Sequence, residues 1–125
     1  MAKEMRFDLV SPERRLASFE ADEVLVPGSE GDITAMAGHM PLITILRPGI
    51  VRARGGDGDR EFVVSGGFAE ITATALSVLA ERALPRDEVT ADFLDALAND
   101  PGSDDPDATA KYTADIAALR TALGL

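Results

Sequence analysis

The sequence predicts a β-sandwich N-terminal domain followed by a C-terminal antiparallel two-helix hairpin, so that the chain is mainly β and α+β overall. Nine of the eleven glycines precede Pro85, and short apolar runs rich in β-branched residues lie between them. Turn residues at such regular spacing are typical of an all-β sandwich. After Pro85 the composition turns to Ala, Leu and Asp, which indicates helix. We therefore predict two domains, residues 1–85 and residues 86–125.

The strands of the first domain are predicted from the alternation of apolar and polar residues, which is the period of a half-buried strand. Residues 5–10, MRFDLV, alternate in this way, and residues 16–26 form extended chain with a break at 21–22. Further strands are predicted at 33–36, 50–54, 60–64, 68–72 and 76–79. Residues 27–32 are predicted as a loop, and residues 55–59, GGDGD, as the tip of a hairpin. At least eight strands result, enough for a two-layer sandwich.

The second domain is predicted to consist of two short helices. Apolar residues at helical spacing mark the first helix: Val89, Phe93, Leu94 and Leu97. Its N-cap is Thr90 or Asp87, and the polar residues 99–105 end it. The second helix begins at 105–107, DPD, an N-cap, a proline at the first helical position and an acidic first turn. It carries one apolar stripe: Tyr112, Ile116, Leu119 and Leu123. We expect this stripe to pack against the first helix in an antiparallel hairpin.

The composition excludes several classes of protein. The 125 residues include 12 basic and 22 acidic side chains, and the net charge of −10 argues against binding to nucleic acid or to anionic lipid headgroups. The absence of Cys excludes a disulfide scaffold, a thiol nucleophile and a Cys-ligated metal centre. Residues 33–46, the longest uncharged stretch, are too short to span a bilayer, and the N-terminal MAKEMRF has no apolar leader. We expect a soluble, acidic, cytoplasmic protein.

The only histidine, His39, is the first candidate for chemistry. Glu30 and Asp32 lie nearby in the sequence, but no nucleophile and no orienting partner accompany them. His39 also lies in a turn between two apolar runs. We therefore interpret it as a structural or interface residue.

Three further motifs remain incomplete. Residues 57–59, DGD, lack the additional oxygen ligands of a calcium loop, and residues 28–32, GSEGD, lack the Lys and Ser or Thr of a phosphate loop. Ser65 precedes Gly66 and Gly67 but lies between strands, whereas a nucleophile elbow joins a strand to a helix. The paired glycines predict a bulge or a close approach of two backbones. We predict no catalytic residue, no metal and no cofactor.

Five short blocks of the first domain carry a family pattern. They are residues 7–13 (FDLVSPE), 26–32 (VPGSEGD), 38–42 (GHMPL), 46–49 (LRPG) and 65–68 (SGGF). In order and spacing these blocks resemble the epsilon subunit of the bacterial F-type, proton-translocating ATP synthase. The resemblance covers almost all of the first domain, and it implies a β-sandwich followed by a helical hairpin.

The resemblance also implies a function, that of a non-catalytic subunit of the central stalk. The β-sandwich would dock on the gamma subunit and touch the polar loops of the c-ring, so that proton-driven rotation reaches the alpha and beta subunits of the catalytic head. By matched position, Glu30, Gly31 and Asp32 face the c-ring, and Ser11 and His39 face gamma. The subunit would be peripheral, at the cytoplasmic face of the bacterial inner membrane.

The second domain departs from the family pattern. Many relatives begin their first helix with Ile or Leu, then Asp, two further residues, Arg and Ala, a motif linked to ATP binding. Thr90 and Phe93 stand here where that motif has its Asp and Arg, so no ATP site is expected. Residues 86–125 contain three basic and nine acidic side chains, whereas inhibitory relatives carry a basic second helix. We expect weak or absent inhibition of ATP hydrolysis.

Two other functions remain open at this point. One is that of a small soluble β-sandwich binding module for a ligand or peptide, which an apolar pocket would favour. The other is that of a hydrolase, which requires carboxylates from Glu30, Asp32 and Glu70 to converge with His39 in a cleft.

Overall fold

The described part of the chain contains ten strands followed by two helices. The structure is a computed structural model that describes residues 4–55 and 58–125. The elements are β1 (Met5–Val10), β2 (Arg15–Ala21), β3 (Glu23–Gly28), β4 (Gly31–Met36), β5 (Leu42–Leu46), β6 (Gly49–Gly55), β7 (Gly58–Val64), β8 (Gly67–Ile71), β9 (Ala75–Ala80), β10 (Ala83–Pro85), α1 (Ala91–Ala98) and α2 (Pro106–Leu123). Gly56 and Asp57 of the predicted hairpin tip and calcium-like triplet lie outside the described residues.

The strands form one rolled sheet in the order β10-β7-β6-β3-β5-β8-β9-β1-β2, and β4 pairs with β3. Neighbouring strands are antiparallel, except that β1 runs parallel to β9. The N-terminal strand is therefore inserted between β9 and β2, strands from opposite ends of the sandwich sequence. The predicted fold class, a β-sandwich followed by two helices, is confirmed.

The main core lies between the two layers of the sheet. Phe7 of β1 is fully buried, and its ring packs edge-on against Phe19 with the centroids 5.4 Å apart. The Phe62 ring from the opposite layer lies 6.3 Å away. Burial of one such side chain contributes about 1.5–3 kcal/mol. The alternation that predicted β1 puts Met5, Phe7 and Leu9 into this core.

The predicted loop at residues 27–32 is wrong in extent. Those residues continue β3 and β4 as a hairpin, with Pro27 opposite Asp32 and Gly28 opposite Gly31. Only Ser29 and Glu30 form the turn. A proline can stand in this ladder because its carbonyl makes the contact, accepting a hydrogen bond from the Arg47 amide at 2.9 Å.

Both helices begin at predicted N-caps. The Thr90 hydroxyl accepts a hydrogen bond from the Phe93 amide at 3.1 Å, so Thr90 and not Asp87 caps α1. Asp105 caps α2, which ends at Gly124 in the left-handed conformation with φ of 72°. The prediction of a short second helix is wrong, because α2 has 18 residues.

The helices form a hairpin that packs on the outside of β6, β7 and β10. A second apolar cluster joins the helices to the sheet, and its buried members are Val63, Val89, Leu94, Leu97, Ile116 and Leu119. Val63 is buried beneath the helices, while its neighbours Phe62 and Val64 face the main core. The Tyr112 hydroxyl donates a hydrogen bond to the Leu97 carbonyl at 2.7 Å, and the Arg120 guanidinium lies 2.6 Å from the Asp95 carboxylate.

The hydrogen bond of Tyr112 leads to a pH-dependent prediction. Burial, and then the carboxylates of Asp100 and Glu81, raise the pKa of Tyr112 above 10.0. The folded state therefore holds the phenol proton more tightly than the unfolded state, and this stabilisation is present below pH 10 and is lost as the pH rises through the folded pKa. Tyr112→Phe removes a hydrogen bond that stabilises the fold by about 1 kcal/mol.

We expect urea midpoints measured from pH 8 to pH 11.5 to show this difference. The natural chain should lose stability more steeply above pH 10 than Tyr112→Phe, so that the two curves converge. Curves that remain parallel across the range would show that the Tyr112 proton is not linked to folding.

Candidate docking surface and the turn at its edge

One face of the sheet carries a row of apolar side chains that come into register across four strands. Ile45 of β5 lies opposite Phe68 of β8, Phe68 opposite Leu79 of β9, and Leu79 beside Val10 of β1. Ile45 is 67% exposed, Phe68 45% and Leu79 46%. We call these four residues the outer row. A contiguous exposed apolar patch of this kind is typical of a protein interaction site.

The exposed apolar surface extends beyond the outer row along β5, and the row itself faces α2 across a groove. Towards one end of β5, Ile43 and Met40 are also exposed, at 67% and 79%. All four outer-row residues also line a groove of about 810 Å³ between the sheet and α2. Pro12 and Pro48 line the sheet side of this groove, and Ala108, Lys111 and Tyr112 line the helix side. The apolar pocket that would favour a binding module is thus part of a larger open surface.

Ser11 lies beside the groove at the end of β1. Its side chain is buried, with 7% exposure, and its hydroxyl lies 3.3 Å from the Arg14 carbonyl and 3.4 Å from the Arg14 amide. Its amide also donates to the Arg14 carbonyl at 2.9 Å. Ser11 therefore shapes the turn between β1 and β2 next to Val10.

His39 lies in the segment that connects β4 to β5. Its Nδ1 atom is 2.6 Å from the Met40 carbonyl oxygen, and its amide donates to the Met36 carbonyl at 3.0 Å. The neighbouring Gly38 amide donates to the Ala73 carbonyl at 2.8 Å. Ser11 thus directly follows β1, whereas His39 lies between β4 and β5.

Glu30 lies in the two-residue turn between β3 and β4, and Gly31 is the first residue of β4. The turn is tied to the outer row, because the Ser29 amide donates a hydrogen bond to the Ile45 carbonyl at 2.8 Å. Asp32, on β4, forms an ion pair with Arg47 at 2.5 Å, a contact that the sequence did not predict. The pairing of β3 with β5 brings these two residues together, and no local pattern indicates it.

The carboxylates of the hydrolase hypothesis do not converge with His39. Four positions of extended β4, about 13 Å, separate Asp32 from Met36, and His39 follows Met36. Glu70 lies on the exposed face opposite Ile43. Among the residues that the structure describes, no group of three or more His, Asp or Glu side chains is placed to hold a metal ion. The arrangement therefore does not support a hydrolase.

The segment 65–67 allows two stretches of backbone to lie close together. The Ser65 hydroxyl is buried and accepts a hydrogen bond from the Arg82 amide at 3.1 Å. A Cβ atom at Gly67 would lie 2.1 Å from the Leu79 carbonyl oxygen. The predicted close approach of two backbones is confirmed.

The two positions that depart from the ATP-binding motif bond to each other. The Thr90 hydroxyl caps α1 by accepting from the Phe93 amide, and the Phe93 ring packs against the second apolar cluster. Both residues are used to start the helix and to seat it on the sheet.

The comparisons with known proteins agree with this architecture. A family model described as the β-sandwich domain of the ATP synthase delta/epsilon chain matches residues 4–86. The ATP synthase epsilon chain of Fuscovulum blasticum is 53% identical over 129 residues, covering 99% of both chains. That of Rhodobacter capsulatus is 48% identical over 132 residues, covering 100% of both.

The chain belongs to the ATP synthase epsilon-chain family. As an epsilon chain it is a non-catalytic subunit of ATP synthase.

Solved structures share the fold of this epsilon chain. One is a chain of the Euglena gracilis mitochondrial ATP synthase complex of OSCP, F1 and c-ring, with a TM-score of 0.73 and 21% identity, covering 96% of this chain and 81% of that one. Another belongs to the central stalk and c-ring of the Tetrahymena thermophila mitochondrial ATP synthase, with a TM-score of 0.71, 21% identity and 98% coverage of both chains. No helix in the described ranges is both long and apolar enough to cross a membrane.

Proposed function

We propose that this epsilon chain is a central-stalk subunit that couples proton-driven rotation of the c-ring to ATP synthesis through the gamma subunit. The observation that carries the proposal is the outer row, an exposed apolar surface built by four strands in register. The family's role in ATP synthase, and the central-stalk and c-ring complexes in which the fold occurs, support the same conclusion. The complex would hold the chain, as a peripheral subunit, at the cytoplasmic face of the bacterial inner membrane.

In this proposal residues 1–85 form the docking domain, and the outer row binds gamma. Three exposed apolar side chains in register would lose their contact with water on binding and form the apolar centre that stable interfaces have. Ser11 and His39 would border the contact. Through gamma, the chain would act on the alpha and beta subunits of the catalytic head.

The turn between β3 and β4 would face the polar loops of the c-ring with Glu30, Gly31 and Asp32. Because the Ser29 amide donates a hydrogen bond to the Ile45 carbonyl, the c-ring contact and the gamma contact would be linked through β5. Packed protein interiors have low compressibility, so a closed sandwich transmits force with little deformation. Such a stiff link suits a part that carries torque.

Residues 86–125 would form a hairpin with weak or absent inhibition of ATP hydrolysis. Their three basic and nine acidic side chains would be repelled by an acidic segment of the catalytic head. Thr90 and Phe93 are engaged in the cap of α1, which supports the expectation that the start of this helix binds no ATP.

A truncated chain that ends at Arg86 tests the role of the hairpin. The main core lies entirely between Met5 and Ala83, so we expect the sandwich to fold without the helices, although Val63 becomes exposed. Added to epsilon-depleted ATP synthase in vesicles, the truncated chain should restore ATP-driven proton pumping, while ATP hydrolysis changes less than about twofold. Circular dichroism of the truncated chain provides the control for folding. Strong activation of hydrolysis would refute weak inhibition.

The same assay with the full chain tests the proposed function itself. We expect the full chain to restore proton pumping and to co-purify with gamma and with the alpha and beta subunits. Recovery of the folded chain alone, while the catalytic head stays assembled, would favour the binding-module hypothesis.

A further inference from the structure

One arginine joins both strands of the turn between β3 and β4. The Arg47 guanidinium donates one hydrogen bond to the Gly28 carbonyl at 2.5 Å and another to the Asp32 carboxylate at 2.5 Å. Gly28 immediately precedes the turn, and Asp32 follows it by two positions. The planar guanidinium presents its donors in a fixed fork, which suits two acceptors on opposite sides of a turn.

The backbone around Arg47 strengthens this connection. The Arg47 amide donates to the Pro27 carbonyl at 2.9 Å, and the Ser29 amide donates to the Ile45 carbonyl at 2.8 Å. Four hydrogen bonds between residues 45–47 and residues 27–32 thus fix the two strands on either side of the turn. The Arg47 side chain is 29% exposed, so it is partly shielded from water.

The two carboxylates near the turn are therefore not equivalent. The charge of Asp32 is compensated by Arg47, and a partner could use it only by breaking that pair. Glu30 lies within the turn and is exposed, and in the described residues it forms no ion pair within 4.0 Å. A charge held on a pre-ordered backbone loses less conformational freedom when it binds.

We propose that Arg47 is a positioning residue for this turn and that Glu30, rather than Asp32, is the carboxylate that meets the polar loops of the c-ring. The Glu30 half of this inference rests on the proposed function. The Arg47 half concerns the chain by itself.

Hydrogen exchange on the isolated full chain tests the Arg47 half. We expect Arg47→Ala to speed exchange of the Ser29 amide about tenfold or more, because the turn opens more often. Asp32→Asn should speed it less, since the Gly28 contact remains, and Arg47→Lys should restore part of the protection. Glu30→Gln should leave the exchange rate unchanged. Unaltered Ser29 exchange in a folded Arg47→Ala chain would overturn the positioning role.

Reconstitution of epsilon-depleted ATP synthase tests the Glu30 half. The measured quantity is the concentration of chain that half-restores ATP-driven proton pumping at low and high salt. Glu30→Gln should raise this concentration about three- to fivefold at low salt and weaken its salt dependence. The control Glu20→Gln removes an exposed carboxylate on β2 and should have no effect.

The outcomes separate the two halves and the proposed function. Asp32→Asn could strongly raise the concentration that half-restores pumping while Ser29 exchange is unchanged and Glu30→Gln leaves that concentration unaltered. This result would overturn the Glu30 assignment in favour of Asp32. Failure of the natural chain to restore pumping at any concentration would refute the proposed function and the Glu30 assignment with it. The exchange rates would still decide whether Arg47 positions the turn.

Discussion

Gly67→Ala should destabilise the chain more than any other single glycine-to-alanine change that we consider. Gly67 has φ of 127°, and a Cβ atom there would lie 2.1 Å from the Leu79 carbonyl oxygen and 2.9 Å from the Ala80 Cα atom. Both obstacles are backbone atoms of β9, so the strands themselves would have to separate. Strain at positive φ alone costs about 1–2 kcal/mol, and the collision adds to it. We expect a total loss of about 3–5 kcal/mol in the free energy of unfolding, a large part of a typical domain's stability.

Thermal unfolding of the purified chain measures this loss, and we expect the midpoint to fall by about 10–20 °C. Gly58→Ala is the matched control, because Gly58 has φ of 110° but, among the described residues other than its chain neighbours, no atom within 4 Å of the added Cβ. Its loss should stay near 1–2 kcal/mol. Equal losses for the two variants would mean that strain alone, and not the approach of β8 to β9, explains the need for glycine at position 67.

Phe68→Ala should weaken binding to gamma by about thirtyfold or more, with little effect on the stability of the isolated chain. Phe68 lies at the centre of the outer row between Ile45 and Leu79, and aromatic residues at the centre of an interface contribute about 2 kcal/mol or more to binding. Its ring is 45% exposed in the free chain, so little core packing is lost when it is removed. Titration of the chain against gamma, followed by fluorescence or calorimetry, provides the measurement.

Leu125→Ala is the control for this experiment. Leu125 is also 45% exposed, but it lies at the C-terminus beyond α2, away from the outer row. We expect unchanged binding from this variant. If Phe68→Ala and Leu125→Ala both bind gamma with the affinity of the natural chain, the outer row is excluded as the gamma surface.

Local sequence patterns predicted those elements whose residues alternate or are clearly capped. The strand at Met5–Val10 is an example, because every second side chain enters the core. The caps at Thr90 and Asp105 are likewise determined by neighbouring residues. Patterns of this range describe one element at a time.

The strand β5 had no such pattern. Its sequence LITIL is apolar on both sides, because Ile43 and Ile45 belong to the exposed face while Leu46 enters the core. Alternation fails where apolar residues occupy the exposed face of a strand as well as its buried face.

The candidate sites depend on contacts between distant strands. The outer row requires the register of β5, β8, β9 and β1, and the pair of Arg47 with Asp32 requires β3 to lie beside β5. The family resemblance supplied Glu30, Asp32, Ser11 and His39 as candidates, but it could not show that Arg47 compensates one of the two carboxylates. Charges can be counted from a sequence, whereas their pairing depends on the fold.

The parallel pairing of β1 with β9 affects the order in which the chain can assemble during synthesis. Arg6 pairs with Ala75, so β1 is made long before its partner exists. At a translation rate of 5–20 residues per second, the wait is on the order of ten seconds at the slow end. During that interval the hairpin of β1 and β2 has an open edge with unpaired amides and carbonyls, which other strands can capture. The nascent N-terminal half is therefore the part of this molecule most exposed to mispairing, and only the arrival of β9 closes it.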